Sequence, residues 1–122
     1  MTLPGPNDHY INLQTAIEMT SLYRTNREIL LADSFQDKGI LPLSETFNRS
    51  AIDELLSTPG CVAIRLYGGQ DEEDKVHTIL VAVNSSNEDI LPVDNLKGDD
   101  PVIIEMGQRC PNTCPPASPL NS

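Results

Sequence analysis

Cys110-Pro111-Asn112-Thr113-Cys114 is the stretch whose residue types could most readily do chemistry. Two cysteines at this spacing can cross-link, because a turn at 111–113 would bring their Cα atoms within the roughly 7 Å that a disulfide requires. Such a pair could cycle between dithiol and disulfide, and Arg109 beside Cys110 would favour a thiolate. The same thiolates could bind a metal, but a closed zinc site takes four ligands, and only Cys61, His9 and His77 remain as donors. The third reading is a pair of reduced, inert thiols, the ordinary state of cysteines in a reducing compartment.

Arg65, Tyr67 and His77 form the second group. They lie in Gly60–Val83, which reads as two strands joined by an acidic loop. If the hairpin closes symmetrically across 68–74, Tyr67 faces Lys75, Arg65 faces His77 and Val62 faces Leu80. A polar surface site would then occupy one sheet face. A general base needs a positioned partner, and no carboxylate orienter for His77 stands near it in sequence. Asp71-Glu72-Glu73-Asp74 lacks the alternating ligand spacing of a calcium loop and reads as a solvated hairpin tip. Phosphate-loop, nucleophile-elbow and zincin patterns are missing, so no catalytic residues are assigned and the inventory favours a non-enzymatic protein.

The elements that must position these residues follow from periodicity. Asn12 is an N-cap for a helix from Leu13 to about Ser34, with Leu13, Ala16, Ile17, Met19, Leu22 and Tyr23 as its core-facing stripe. Ser50 and Asp53 resemble a capping box, which predicts a second helix over 51–57. Val62, Ile64 and Leu66 alternate as one buried strand face, while 76–83 becomes apolar throughout, as in a strand covered on both sides. Pro101–Met106 is a third strand candidate, joined by a polar loop over 84–100 that contains Ile90-Leu91-Pro92-Val93 and has room for a short strand at its centre. The fold class is therefore α+β: a small antiparallel sheet, hairpin 61–67/76–83 plus strand 102–106, packed by two N-terminal helices. Residues 1–10 are expected to be a flexible arm, 11–106 a single domain, and 107–122 an extended or irregular tail with four prolines in its last thirteen residues, Cys110–Ser122.

Composition limits the partners. The chain has 122 residues and a net charge of −10, enough length for an ordinary core without metal or disulfide. Such acidity opposes phosphate backbones and anionic membranes, so neither nucleic acid nor membrane is expected, and a protein partner or self-association is. The N-terminus carries no basic and apolar leader pattern, and no run reaches the roughly 18 apolar residues of a membrane span. A cytoplasmic location is the resulting expectation.

LPLSETFNRSAIDELLSTPGCVAIRLYGG, KVHTILVAVNSSNEDILP and GQRCPNTCPP resemble segments of a family of small uncharacterised bacterial proteins. The resemblance runs from about Ile11 onward. It agrees with a single α+β domain and implies no activity, cofactor or partner. The functional expectation is thus a cytoplasmic protein-interaction module, homo-oligomeric in one version. The alternative is a small redox or metal-binding protein acting through Cys110 and Cys114, with zinc the metal considered and otherwise no cofactor.

Overall fold

The computed structural model describes residues 3, 5, 8–92 and 102–121. Parts of the expected arm over 1–10 and of the expected loop over 84–100 lie outside the described residues, as does Pro101. The chain is an α+β protein with antiparallel sheets. It divides into two compact units: Thr46–Gly69 with His77–Gly107 and the first three residues, and Pro4–Glu45 with Gln70–Val76 and Gln108–Ser122.

The helix and strands of the first unit are ordered by one central strand. In chain order the whole molecule contains α1 (Leu13–Asn26), a 3₁₀ turn (Asp33–Phe35), β1 (Ser44–Thr46), α2 (Arg49–Leu56), β2 (Ala63–Gln70), β3 (Val76–Val83), β4 (Asp89–Ile90), β5 (Ile103–Ile104) and β6 (Gln108–Cys110). β3 pairs with β2 on one side and with both β4 and β5 on the other. Ala82 and Val83 face Ile90 and Asp89, while Leu80 and Val81 face Ile104 and Ile103. Leu80 to Val83 are paired along both edges and buried without alternation, in keeping with the continuously apolar sequence there.

α2 starts at Arg49 after Asn48, earlier than the Ser50–Asp53 pattern predicts, and packs on β5. Leu55 of α2 is fully buried and joins Leu80 and Ala82 at the centre of the core. Phe47, Ile52, Cys61, Ile64, Ile90, Val102 and Ile104 pack around them. Of the expected strand face Val62/Ile64/Leu66, only Ile64 reaches this core; Val62 and Leu66 are exposed.

The hairpin register also departs from the symmetric closure. Val62 N donates to Val83 O, not to the neighbourhood of Leu80, and β2 continues through Gly68 and Gly69 to Gln70. The reason lies in two side chains. A Cβ on Gly69 would stand 2.8 Å from Ile79 Cδ1, so this glycine admits Ile79 over the strand and does not mark a loop. The turn is made instead by Asp71, whose Oδ1 accepts from Glu73 N and Lys75 N at 2.8 and 3.0 Å, with Asp74 in the left-handed region at φ 68°. The β3–β4 turn repeats this chemistry: Asn84 Oδ1 accepts from Ser86 N and Glu88 N.

The second unit contains α1, the two-stranded pairing of β1 with β6, and the C-terminal segment. Asn12 caps α1 as expected, its Oδ1 accepting from Thr15 N at 2.8 Å. The helix ends at Asn26, well before Ser34. There Arg27 pairs with Glu28 at 3.1 Å, and the other Glu28 oxygen accepts from Asp37 N, turning the chain back. Residues 108–110 form β6 within the segment expected to be extended or irregular. Gln108, Arg109 and Cys110 all retain backbone N–H groups, and the proline run that cannot donate begins only at Pro111.

Candidate functional site

Two sites bring together the residues singled out from sequence. The first lies in the second unit, where β6 delivers Cys110 and the chain then turns. Thr113 N donates to Arg109 O at 2.9 Å, and Cys114 returns to form a disulfide with Cys110, their Cα atoms 4.5 Å apart. Strand alternation sends the neighbouring side chains in different directions. Arg109 Nε donates to Val76 O at 3.1 Å, and its Nη2 donates to Gly39 O and Ile40 O at 2.9 and 3.0 Å. The guanidinium expected to favour a Cys110 thiolate is therefore engaged by three carbonyls.

Cys110 is buried and Cys114 is exposed. Cys110 lies in the wall of a cleft of about 600 Å³, with Met19, Tyr23, Leu43, Pro116 and Leu120 among its other sides. Polar ties join the segments around the cleft. Tyr23 Oη donates to Pro42 O at 2.7 Å, and Arg24 Nη1 donates to Leu120 O at 2.7 Å. Burial raises the Tyr23 hydroxyl above its ordinary pKa, against the opposing charge of Arg27. Asn121 shapes the far wall, accepting from Ser118 N and donating to Pro116 O.

The second site lies in the first unit. Arg65 does not face His77. Its guanidinium pairs with Asp89 and with the Asn87 side chain, and Tyr67 Oη donates to the other Asp89 oxygen. The hydrogen bond from Tyr67, with that and the charge of Arg65, holds the Asp89 carboxyl below the usual carboxylate range against partial desolvation. The same contact raises Tyr67, and the hydrogen bond to Asp89 raises Arg65. His77 stands elsewhere, its Nδ1 3.1 Å from Glu105 Oε1. Each basic residue of the expected surface site thus has a carboxylate partner that sequence distance concealed. The one available signal was the Asn84–Glu88 turn chemistry, which carries Asp89 back beside β3.

Cys61 is the remaining cysteine, half-buried with its thiol 3.4 Å from Ala63 O. Among the described residues no three His, Cys, Asp or Glu side chains are grouped to hold a metal ion. Among them, too, no helix is long and apolar enough to cross a membrane. Comparison with protein-family models, with curated proteins and with solved structures gives no match.

One feature of the second unit was legible in the wrong sense. Met19 and Leu22, expected in the core, are 60% and 64% exposed, and α1 contains no buried residue. The half-buried positions are Thr15, Ala16, Ile17, Thr20, Tyr23, Arg24 and Asn26. Beyond Asn26 one further turn is closed by Leu30 N donating to Asn26 O, and Ile29 and Leu30 are also exposed. Met19 and Leu22, three residues apart, share one face of α1, and the exposed Ile29 and Leu30 follow in the turn after its end.

Proposed function

We propose that the protein is a cytoplasmic, non-enzymatic interaction module whose copies associate through the exposed stripe of α1. The observation that carries this reading is that surface: Met19 and Leu22 on one face of α1, followed by Ile29 and Leu30 in the turn after its end, with none of the four buried. Each would contribute roughly 1.5–3 kcal/mol if fully withdrawn from water.

Charge favours a second copy as the occupant. The chain carries −10 overall, so two copies repel in general. Within 10–31, however, Glu18 and Glu28 are offset by Arg24 and Arg27. The stripe is thus the neutral, apolar part of an acidic protein, where copies can meet without concentrating negative charge. A basic partner would be drawn to the acids of 71–122 instead.

Light scattering with size exclusion tests this. The wild type is expected to be a dimer or higher oligomer whose mass falls on dilution. A Met19→Glu/Leu22→Glu variant is expected to be monomeric with unchanged far-ultraviolet circular dichroism, since neither side chain supports the fold from within. A wild type that stays monomeric at the highest concentration it tolerates would refute the reading.

A further inference from the structure

We infer that Cys114 is a thiol-modification site at which the Cys110–Cys114 disulfide exchanges with a low-molecular-weight thiol, and that this exchange loosens the wall of the cleft. The two sulfurs are unequal. Cys110 is 4% exposed, held at the end of β6 where its carbonyl accepts from Leu43 N at 2.7 Å. Cys114 lies on the exposed turn that follows. Exchange requires a thiolate to reach one sulfur of the bond, so access decides which sulfur is attacked. Cys114 stands on the exposed turn, whereas Cys110 shows 4% of its surface, in the wall of the cleft.

The chemistry balances without any group that the chain lacks beyond the thiol itself. An incoming thiolate RS⁻ attacks Cys114 Sγ, an RS–S bond forms, and the bond to Cys110 breaks. Cys110 leaves as a thiolate and takes a proton from solvent. A second RS⁻ then attacks the sulfur of the attached thiol, releasing RSSR and the Cys114 thiolate. Two thiols are oxidised and the protein disulfide is reduced by two electrons. In a reducing compartment a disulfide, where one forms, is usually transient and catalytic or redox-sensing.

The consequence follows from what the bond holds. The disulfide pins the turn from which Pro115, Pro116, Ser118 and Leu120 run along the cleft. With the bond open, the covalent tie to β6 is gone, and polar contacts such as Arg24 on Leu120 O, Thr113 N on Arg109 O and the Asn121 turn remain. Exchange at Cys114 does not depend on whether copies of the chain associate.

The test uses the full native chain and reduced glutathione as the probe thiol. The protein is exposed to a limiting amount, quenched in acid and digested with trypsin. Cleavage after Arg109 places Cys110 and Cys114 in the C-terminal peptide, apart from the 50–65 peptide that carries Cys61. The expected product is glutathione attached at Cys114 with Cys110 free, at least tenfold over the opposite isomer. After complete reduction, Cys114 is expected to alkylate at least tenfold faster than Cys110, and amides of 117–121 to exchange faster than in the oxidised protein. Attachment at Cys110, equal labelling of the two, or a disulfide that reacts only after denaturation would overturn the inference.

Discussion

The two units of this chain are stabilised by different means. In the first, Leu55, Leu80 and Ala82 meet in an apolar cluster, and the strands pair around β3. In the second, α1 buries no residue, and beside the buried Ile40 and Cys110 stand directed contacts: three carbonyls on Arg109, Tyr23 on Pro42, Arg24 on Leu120, and the disulfide. Both units leave apolar side chains exposed, Val62 and Leu66 in the first and Met19, Leu22, Ile29 and Leu30 in the second. They differ in what lies behind that surface: a packed apolar cluster in the first, and mainly directed polar contacts behind α1 in the second.

The contrast can be broken most severely in the first unit. Leu55→Ala removes a side chain that is 0% exposed, and substitutions of this kind cost about 2–5 kcal/mol with the residual cavity. Chemical denaturation should show a midpoint lowered accordingly. An effect below about 1 kcal/mol would mean that the cluster does not organise the unit.

Arg109→Met comes next. It keeps the volume but removes every donor to Val76 O, Gly39 O and Ile40 O. Hydrogen bonds from charged groups contribute roughly 1.5–3 kcal/mol, so a loss of about 2–3 kcal/mol is expected. Hydrogen exchange should localise it to the amides of Leu43 and Val76, which bond to Cys110 O and Ile40 O. Uniform loss of protection throughout β3 would remove the distinction between the units.

The smallest effect sharpens the comparison by pH. Asp89 has a folded-state pKa below its ordinary value because of Tyr67 and Arg65. Its contribution is therefore fully present above the unfolded value of about 3.9 and is lost as pH falls through the folded pKa. The difference in melting temperature between wild type and Asp89→Asn should be greatest near neutral pH and narrow below about pH 4. A difference that stays constant across that range would show that the carboxylate charge contributes nothing.

What could be read from the sequence follows the same division. The α+β class, the two helices, the Asn12 cap and the doubly covered end of β3 were legible because each is written in local pattern. The hairpin register was not, because Gly68-Gly69 carries the signature of a loop and is used as strand under Ile79. Arg65 meets Asp89 only through the return of β4, a contact that no local spacing announces. Cys110 and Cys114 were visible as a pair, but which sulfur faces solvent depends on β6, whose partner β1 is distant in sequence. Met19 and Leu22 have the spacing of core residues. Periodicity shows that a helix face is to be covered, and cannot say whether the same chain does the covering.

Hydrogen exchange of the oxidised wild type, measured at concentrations well below and well above the onset of association, tests that last point most directly. Amides of α1 from Met19 to Asn26, with the turn through Leu30, are predicted to gain protection as concentration rises, while those of Leu80 to Val83 in the core of the first unit stay unchanged. Protection of α1 that is independent of concentration would contradict the account, since the stripe would then remain uncovered when copies are abundant.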